Sequence, residues 1–439
     1  MINRITITSL FYKISLFLGL ALVSGAAVSQ KIEIDIEGGA VRGIPTAIVP
    51  FKVMNGPPPN TQALHEVVAD DLRASGKFDP VPPQSFLSLP SRIEEVRYKD
   101  WRFINVEALV IGEIWTLGND LYEVQFRIFD VARQTEIGEG IRIPNLSAAT
   151  LRTAAHIVSD NVYSAFTGRP GAFNSRIAYI DEVISGGRPR YRLLVGDWDG
   201  FGSQEVYASW QPLLSPSWSA DGSRLAFVAF TDKGSIVRVL ETASGNATTV
   251  ASFKGVNAAP SWSPDGSKLA YSTSRNGSPD VYIYDFNTQQ HQRVTKHYAI
   301  DTEPAWSPNG QNLLFTSNRT GKPQIYRYDL SSQTINRITF EGNENANASY
   351  DYEGKRLVMV HLGGQIAVVN NQSDQVTPIT VAKFDESPSF SPNGDMVLYA
   401  TEERFEPLLR VASSDGRVRT TLKYVSGDVR EPAWSPLRK

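Results

Sequence analysis

The side chains able to do chemistry are few and scattered. Five histidines stand at His65, His156, His291, His297 and His361, and none falls in the H-E-x-x-H pattern that would aim two imidazoles at one metal. His291 and His297 are close in sequence, and loops of a repeated unit account for them. Cysteine is absent, which excludes disulfides, thiolate metal sites and a cysteine nucleophile. No serine has glycine two residues before and two after it, so the strained nucleophile elbow of a hydrolase is missing. No Gly-Lys pair is followed by Ser or Thr, so no phosphate-cradling loop is present. "DWDG" (Asp197–Gly200) begins like a calcium loop, but no glutamate follows at the closing position. It reads as a hairpin turn. The carboxylate pairs Asp70–Asp71 and Glu94–Glu95 read as solvated helix faces. This inventory points to binding rather than catalysis, with no cofactor and no metal.

The elements that would position such a surface fall into two textures. Arg4 and Lys13 precede an apolar run, Ile14–Val23, and then the small residues of "SGAAVSQ". That order reads as a signal peptide over 1–29, with the mature chain starting at Gln30. The run is about half the ~20 residues a spanning helix needs, so no membrane insertion is expected after cleavage. Residues 30–166 mix strands and helices into a small α+β domain. "KIEIDIE" (Lys31–Glu37) alternates as a half-buried strand, and "TAIVPFKV" reads as a buried one. Thr61 is placed to cap a helix with Leu64, Val67, Val68 and Leu72 on one face, stopped by Gly76. "EALVIGEI" and "LYEVQFRIFDV" read as a hairpin around Gly118–Asp120. Ser147 opens a helix carrying Leu151, Ala155, Val158 and Val162. Gly168, Pro170 and Gly171 mark a linker over 167–175.

From 176 to 439 one unit is written repeatedly. "PSWSPDGSKLAYSTS" (Pro260–Ser274) has near-copies in "PSWSADGSRLAFVAF" (Pro216–Phe230) and "PAWSPNGQNLLFTS" (Pro304–Ser317). The aromatic after each proline recurs at Trp218, Trp262, Trp306, Tyr350, Phe390 and Trp434, with spacings of 44, 44, 44, 40 and 44. That is the period of a four-stranded propeller blade, so a mainly β, six-bladed β-propeller follows the α+β domain. "SPDG" suits a type I turn position by position, and the tryptophans fill the wedge between neighbouring sheets. The short spacing predicts a trimmed loop before "QIAVVN". The last copy, "PAWSP" (432–436), leaves no room for three further strands. The final blade is therefore closed by this C-terminal strand against "SRIAYI" (Ser175–Ile180), which removes open sheet edges.

Because blades share one orientation, the residues five, four and three before each aromatic should meet at one mouth of the channel. They are Leu213–Leu214–Ser215, Asn257–Ala258–Ala259, Asp301–Thr302–Glu303, Asn345–Ala346–Asn347, Asp385–Glu386–Ser387 and Val429–Arg430–Glu431. Five carboxylates and one arginine make an acidic, roomy mouth suited to a polar or basic segment of a partner protein. Turn capping and rim solubility are the plainer account of the same residues. The formal net charge of −3 disfavours nucleic acid and anionic membrane surfaces.

An export signal, a small α+β domain and blades of the form P-S/A-W-S-P-D/N-G-x-x-L closed by a terminal "PAWSP" together resemble the TolB family, periplasmic components of the Tol–Pal system. "NAAPSWSPDGSKLAYS", "DTEPAWSPNGQNLLFTS" and "REPAWSP" carry the likeness, which covers essentially the whole mature chain. Propellers of the tricorn and prolyl-oligopeptidase type share the blade motif alone. The resemblance implies a monomeric, non-enzymatic scaffold in the periplasm that supports outer-membrane invagination during cell division and envelope integrity. It implies that the peptidoglycan-associated lipoprotein Pal meets the mouth at Asn257, Ala258, Ala259, Asp301, Thr302, Glu303, Asn345, Ala346, Asp385, Glu386, Arg430 and Glu431, with Asn257, Ala259, Thr302 and Glu303 foremost. It implies that TolA meets Gln30, Lys31, Ile32, Glu33, Ile34, Asp35 and Ile36. The residues by themselves leave open a secreted propeller hydrolase or a lectin-like propeller.

Overall fold

The computed structural model describes the backbone of residues 34–36, and residues 43–59 and 61–438 in full. The signal segment 1–29 and Gln30, Lys31, Ile32 and Glu33 lie outside the described residues.

The first described strand, β1 (Ile34–Ile36), does not join the domain it precedes. It pairs antiparallel with Val418–Thr420 at the outer edge of a propeller blade. The α+β domain begins with β2 (Ile44–Ile48) and β3 (Lys52–Met54), which Pro50 separates where one strand was expected. β4 (Phe78–Pro80) and β5 (Ala108–Gly118) flank β2 in parallel, and β5 turns back into β6 (Leu121–Asp130). Asn119 and Asp120 take φ of 52° and 56°, the left-handed pair that a tight hairpin between right-twisted strands requires. The short β7 (Thr135–Glu136) and β8 (Ile141–Ser147) both pair with β6.

Helix α1 (Leu64–Ala74) buries Leu64, Val67, Val68 and Leu72, as their spacing requires. Its start has no side-chain cap, so Thr61 does not perform the expected role. α2 (Tyr98–Phe103) seals the opposite face of the sheet with Trp101. α3 (Leu151–Thr167) is entered through a 3₁₀ turn in which Ser147 and Thr150 cap one another, and it ends at Gly168 in the left-handed conformation. Asp71 is not a solvated carboxylate as its exposed-pair reading suggested: it is 1% exposed. The sequence does not show that α3 and the propeller close over it.

The expected linker is packed. Ala172 and Phe173 are fully buried, and the Asp160 carboxylate accepts from the amides of Phe173 (2.8 Å) and Asn174 (3.1 Å). A Cβ at Gly171 would fall 2.2 Å from that carboxylate, so glycine serves close approach here rather than flexibility. One hydrophobic core runs from Phe78, Val158 and Tyr163 through Phe173 to Trp198, Leu409 and Trp434. The α+β domain is thereby fixed to blades five and six.

Each blade is a four-stranded antiparallel sheet: blade one over Leu213–Ala251, two over Asn257–Arg293, three over Asp301–Arg337, four over Asn345–Pro378 and five over Glu386–Thr421. Blade six combines Arg176–Ser185, Arg188–Asp197 and Gln204–Ser209 with the C-terminal strand Asp428–Trp434, whose Trp434 pairs with Ile177. The aromatics do fill the wedges. Trp218 Nε1 donates to Ala433 O and Trp306 Nε1 to Ser261 O, each across a blade boundary at 3.2 Å. At three of the six blade boundaries an arginine adds a second clasp. Arg224 lies 4.2 Å from the next Trp262 ring centroid and donates to Gly266 O at 2.9 Å. Arg176 and Arg356 repeat this at Trp218 and Phe390. Between blades three and four, Asn312 and Tyr350 replace arginine and tryptophan and line a cavity of about 200 Å³.

Candidate protein-docking face

The inner strand of every blade carries the same irregularity. Pairing shifts register between the residues four and one before the aromatic; in blade five the shift lies between Glu386 and Ser389. The residue three before it is left-handed in all six copies: Ser215, Ala259, Glu303, Asn347, Ser387 and Glu431 have φ of 51°, 48°, 53°, 50°, 51° and 53°. Each non-glycine residue held there costs about 1 kcal/mol or more. Six such β-bulges in one ring turn six side chains into the channel. They line a cavity of about 580 Å³ together with Ala258, Thr302, Ala346 and Glu386.

Two of these side chains reach the following blade. Glu303 Oε2 accepts from the Asn347 amide (2.8 Å) and Thr316 Oγ1 (2.7 Å), and Glu431 Oε2 accepts from the Ser215 amide (3.2 Å). Burial, reinforced by Glu386 and Glu303, pushes the Glu431 carboxyl up to about 7. Burial also raises Glu386, against the pull of Arg430. The carboxyl groups that face the channel are thus Glu303, Glu386 and Glu431, and burial holds back the ionisation of the last two.

The first residues of four triplets lie elsewhere. Asn257, Asp301, Asn345 and Asp385 are at most 2% exposed and tie loops together beneath the rim. Asp301 is held by Arg319 Nη2 at 2.8 and 3.0 Å; Asn257 donates to Ser235 O and Phe253 O; Asn345 donates to Gln324 and Glu341 O. Burial raises the Asp385 carboxyl. Ala258, Thr302, Ala346, Glu386 and Arg430 form the half-open tier between, except that Glu386 is the most open of them. Arg430 is engaged by Glu182 (3.1 Å) and Asp428 (2.6 Å).

Sequence reasoning missed the outer tier. Loops on the mouth side expose large apolar side chains: Tyr298 at 85%, Phe340 at 68%, Phe384 at 70% and Phe405 at 92%, with Val256 and Ile300 about half exposed. Val256, Ile300 and Phe384 immediately precede three of the ring triplets, where a merely solvated loop would be polar. That was the available signal. A wide apolar tier around a polar channel marks an interaction surface.

The trimmed loop of blade four makes this face asymmetric. Six residues separate Thr273 from Asp280 and Ser317 from Gln324, but three separate His361 from Gln365. A Cβ at Gly364 would lie 2.0 Å from Lys383 O, so only glycine lets the returning chain cross here. The shortening opens a recess of about 660 Å³ over blades four to six, lined by Gly363, Lys383, Phe384, Glu386 and Arg430. Of the N-terminal segment, Ile34, Asp35 and Ile36 form β1, a fifth strand on blade five.

No group of three or more His, Asp or Glu side chains suited to a metal occurs among the described residues. Asp197 and Asp199 of "DWDG" are ion-paired with the Arg152 and Arg438 guanidinium groups. No helix among the described residues is long and apolar enough to cross a membrane.

The sequence matches the TolB amino-terminal domain over residues 32–137 and the TolB beta propeller domain over 163–438. It is 51% identical over 420 residues to the Tol-Pal system protein TolB of Nitrosococcus oceani, covering 94% of this chain and 96% of that one. It is 47% identical over 426 residues to the protein of the same name from Xanthomonas oryzae pv. oryzae, covering 95% of each. The fold superposes on the crystal structure of TolB from Acinetobacter baumannii with a TM-score of 0.82 and 37% identity, over 92% of this chain and 100% of that one. Both domains, in this order and over nearly the whole length, place the chain in the TolB family.

Proposed function

We propose that this chain is a non-enzymatic, periplasmic docking scaffold of the Tol–Pal system. Its propeller mouth receives Pal, its mature N-terminal segment reaches TolA, and the two contacts together support outer-membrane invagination at division and envelope integrity. The observation that carries the reading is the exposed apolar tier encircling the channel glutamates. An apolar tier supplies the desolvated anchors of a protein interface, and a charged centre supplies orientation and partner choice. The buried set Asn257, Asp301, Asn345 and Asp385 then shapes the loops, while Ala258, Thr302, Ala346, Glu386 and the outer tier make the contact. The names of the relatives support the system to which the partners belong. For TolA, the outer edge of β1 has no partner strand among the described residues, and an extended segment can add there.

Titration calorimetry with purified Pal tests this directly. Replacing Ile300 and Phe384 by aspartate removes two apolar anchors and should weaken binding roughly 30-fold or more, as losses at hot spots do. Both side chains are solvent-facing, so folding should be unaffected. Wild-type affinity in the double variant would remove the mouth from consideration as the Pal site.

A further inference from the structure

The α+β domain has a polar cleft of about 310 Å³ that the docking face does not use. It lies on the sheet face turned away from α1 and α3. Register defines its floor. Glu113 pairs with Gln125, and Gln125 with Arg142, giving one row across β5, β6 and β8. The next row is Ile111, Arg127 and Gly140, since Ile111 pairs with Arg127 and Phe126 with Ile141. Gly140 leaves out the side chain that would complete this row. A Cβ there would lie 2.9 Å from Arg127 Cζ, so the guanidinium occupies the space glycine vacates.

The cleft is organised in advance. Glu113, 6% exposed, accepts from Ser91 Oγ (3.2 Å), Arg92 Nε (3.1 Å) and Trp115 Nε1 (3.0 Å). Arg92 offsets its charge, and Ser91 and Arg92 together pin the 91–94 wall to the floor. Glu136 steadies Arg127 at 2.7 Å. Arg142 is exposed and makes no ion pair or hydrogen bond among the described residues. Arg127 and Arg142 are diagonal neighbours on adjacent strands, roughly 7–8 Å apart, within reach of one bridging carboxylate. Exposed Ile93 lines the same cleft, and Leu89 nearby in sequence is 64% exposed. Glu94 also lines it, with no ion pair or hydrogen bond among the described residues.

We infer that this cleft is a second docking site, for an acidic peptide segment of a partner protein that places a carboxylate on Arg127 and Arg142 and an apolar side chain on Ile93. Guanidinium pairs recognise carboxylates in a directed, fork-like geometry, and the apolar wall favours a peptide over a bare anion.

The probe is an eight-residue peptide of alternating leucine and glutamate, with a lysine-for-glutamate counterpart as control. The readout is the Trp115 indole N–H signal in ¹H–¹⁵N spectra of the full chain, assigned with Trp115→Phe. The acidic peptide should shift that signal saturably and the basic one should not. Arg142→Ala should weaken binding about tenfold, the loss of one charge-assisted contact. Glu94→Gln should tighten it a few-fold by removing a like charge. Both side chains are exposed, so both variants should fold. No shift at millimolar peptide, an equal response to the basic peptide, or an unchanged affinity in Arg142→Ala would each overturn the inference. So would a response to inorganic phosphate or anionic vesicles with none to the peptide.

Discussion

Replacing His156 by glutamine should loosen the attachment of the α+β domain to the propeller, by an amount the structure allows to be worked out. His156 is 1% exposed, on α3. Its Nδ1 is 2.8 Å from Asp71 Oδ2, and its Nε2 is 3.8 Å from Asp197 of blade six, too long for a direct hydrogen bond. Asp71 also accepts from Ser159 Oγ (2.6 Å) and from Trp198 Nε1 (3.0 Å). Arg152 bonds Asp199, and Arg438 bonds Asp197. Burial alone would lower the imidazole's pKa. The Asp71 charge, with help from Asp197 and Asp199, overrides it and raises His156 from 6.5 to about 10. At ~1.4 kcal/mol per pKa unit, a shift of that size amounts to about 5 kcal/mol. Removing one partner of a buried pair costs about 3–5 kcal/mol, so the two routes agree.

The unfolded chain releases the imidazole proton first. This increment is therefore fully present below pH 6.5 and drains away as pH rises toward about 10. At pH 7 the variant should melt about 4–6 °C below wild type, taking an unfolding entropy of ~2.1 cal/mol/K per residue. The assay is thermal unfolding of both proteins from pH 6 to 10, read as their difference so that other titrating groups cancel. The gap should narrow steadily through the alkaline range. A gap under ~1 °C at pH 7, or one that stays constant to pH 10, would show that His156 does not hold this interface as an ion pair.

The channel should lose stability in the same direction of pH but over a more acidic window. Glu431 is raised from 4.5 to about 7, so the unfolded state ionises first and stability falls as pH climbs between those values; Glu431→Gln should flatten that part of a urea-unfolding profile, and an unchanged slope would contradict the assignment. Arg224→Ala removes a cation–π contact and a hydrogen bond to the next blade and should cost about 1–2 kcal/mol, whereas Asn312→Ala, at a seam with no arginine clasp, should cost much less in the same denaturation series. Installing the missing pair with Asn312→Arg and Tyr350→Trp should fill the seam between blades three and four and raise stability by about 1 kcal/mol; a lower melting temperature would show that the seam is shaped for something else.

Residues that repeat were legible in the sequence, because repetition converts one local rule into many tests. The period marked six blades, "SPDG" marked the turns between the first two strands, and the short spacing marked a trimmed loop before "QIAVVN". The class of fold and the family followed from these, as did the likeness of the ring triplets. Which way each triplet residue faces did not follow. A bulge recurring at one position alternates burial against expectation: Asp301 and Asp385 are turned under the rim, while Glu303 and Glu431 reach the channel. Charge counted along the chain therefore overstated the acidity of the mouth. The apolar tier escaped notice because Tyr298, Phe340, Phe384 and Phe405 lie in loops of unlike length, and only closure of the ring sets them on one surface.

The residues that join the two domains were the least readable. Asp71, His156, Asp197 and Arg438 are far apart in sequence, and each looks ordinary in its own segment. A single charged side chain carries no mark of its eventual partner, since pairing depends on burial, and burial on how whole elements pack. Local periodicity and turn chemistry act over a few residues, so strands, turns and blade count were determined by sequence alone. Long-range desolvation decided the rest: which carboxylates face the channel, which are neutralised beneath it, and how the α+β domain is fixed to blades five and six.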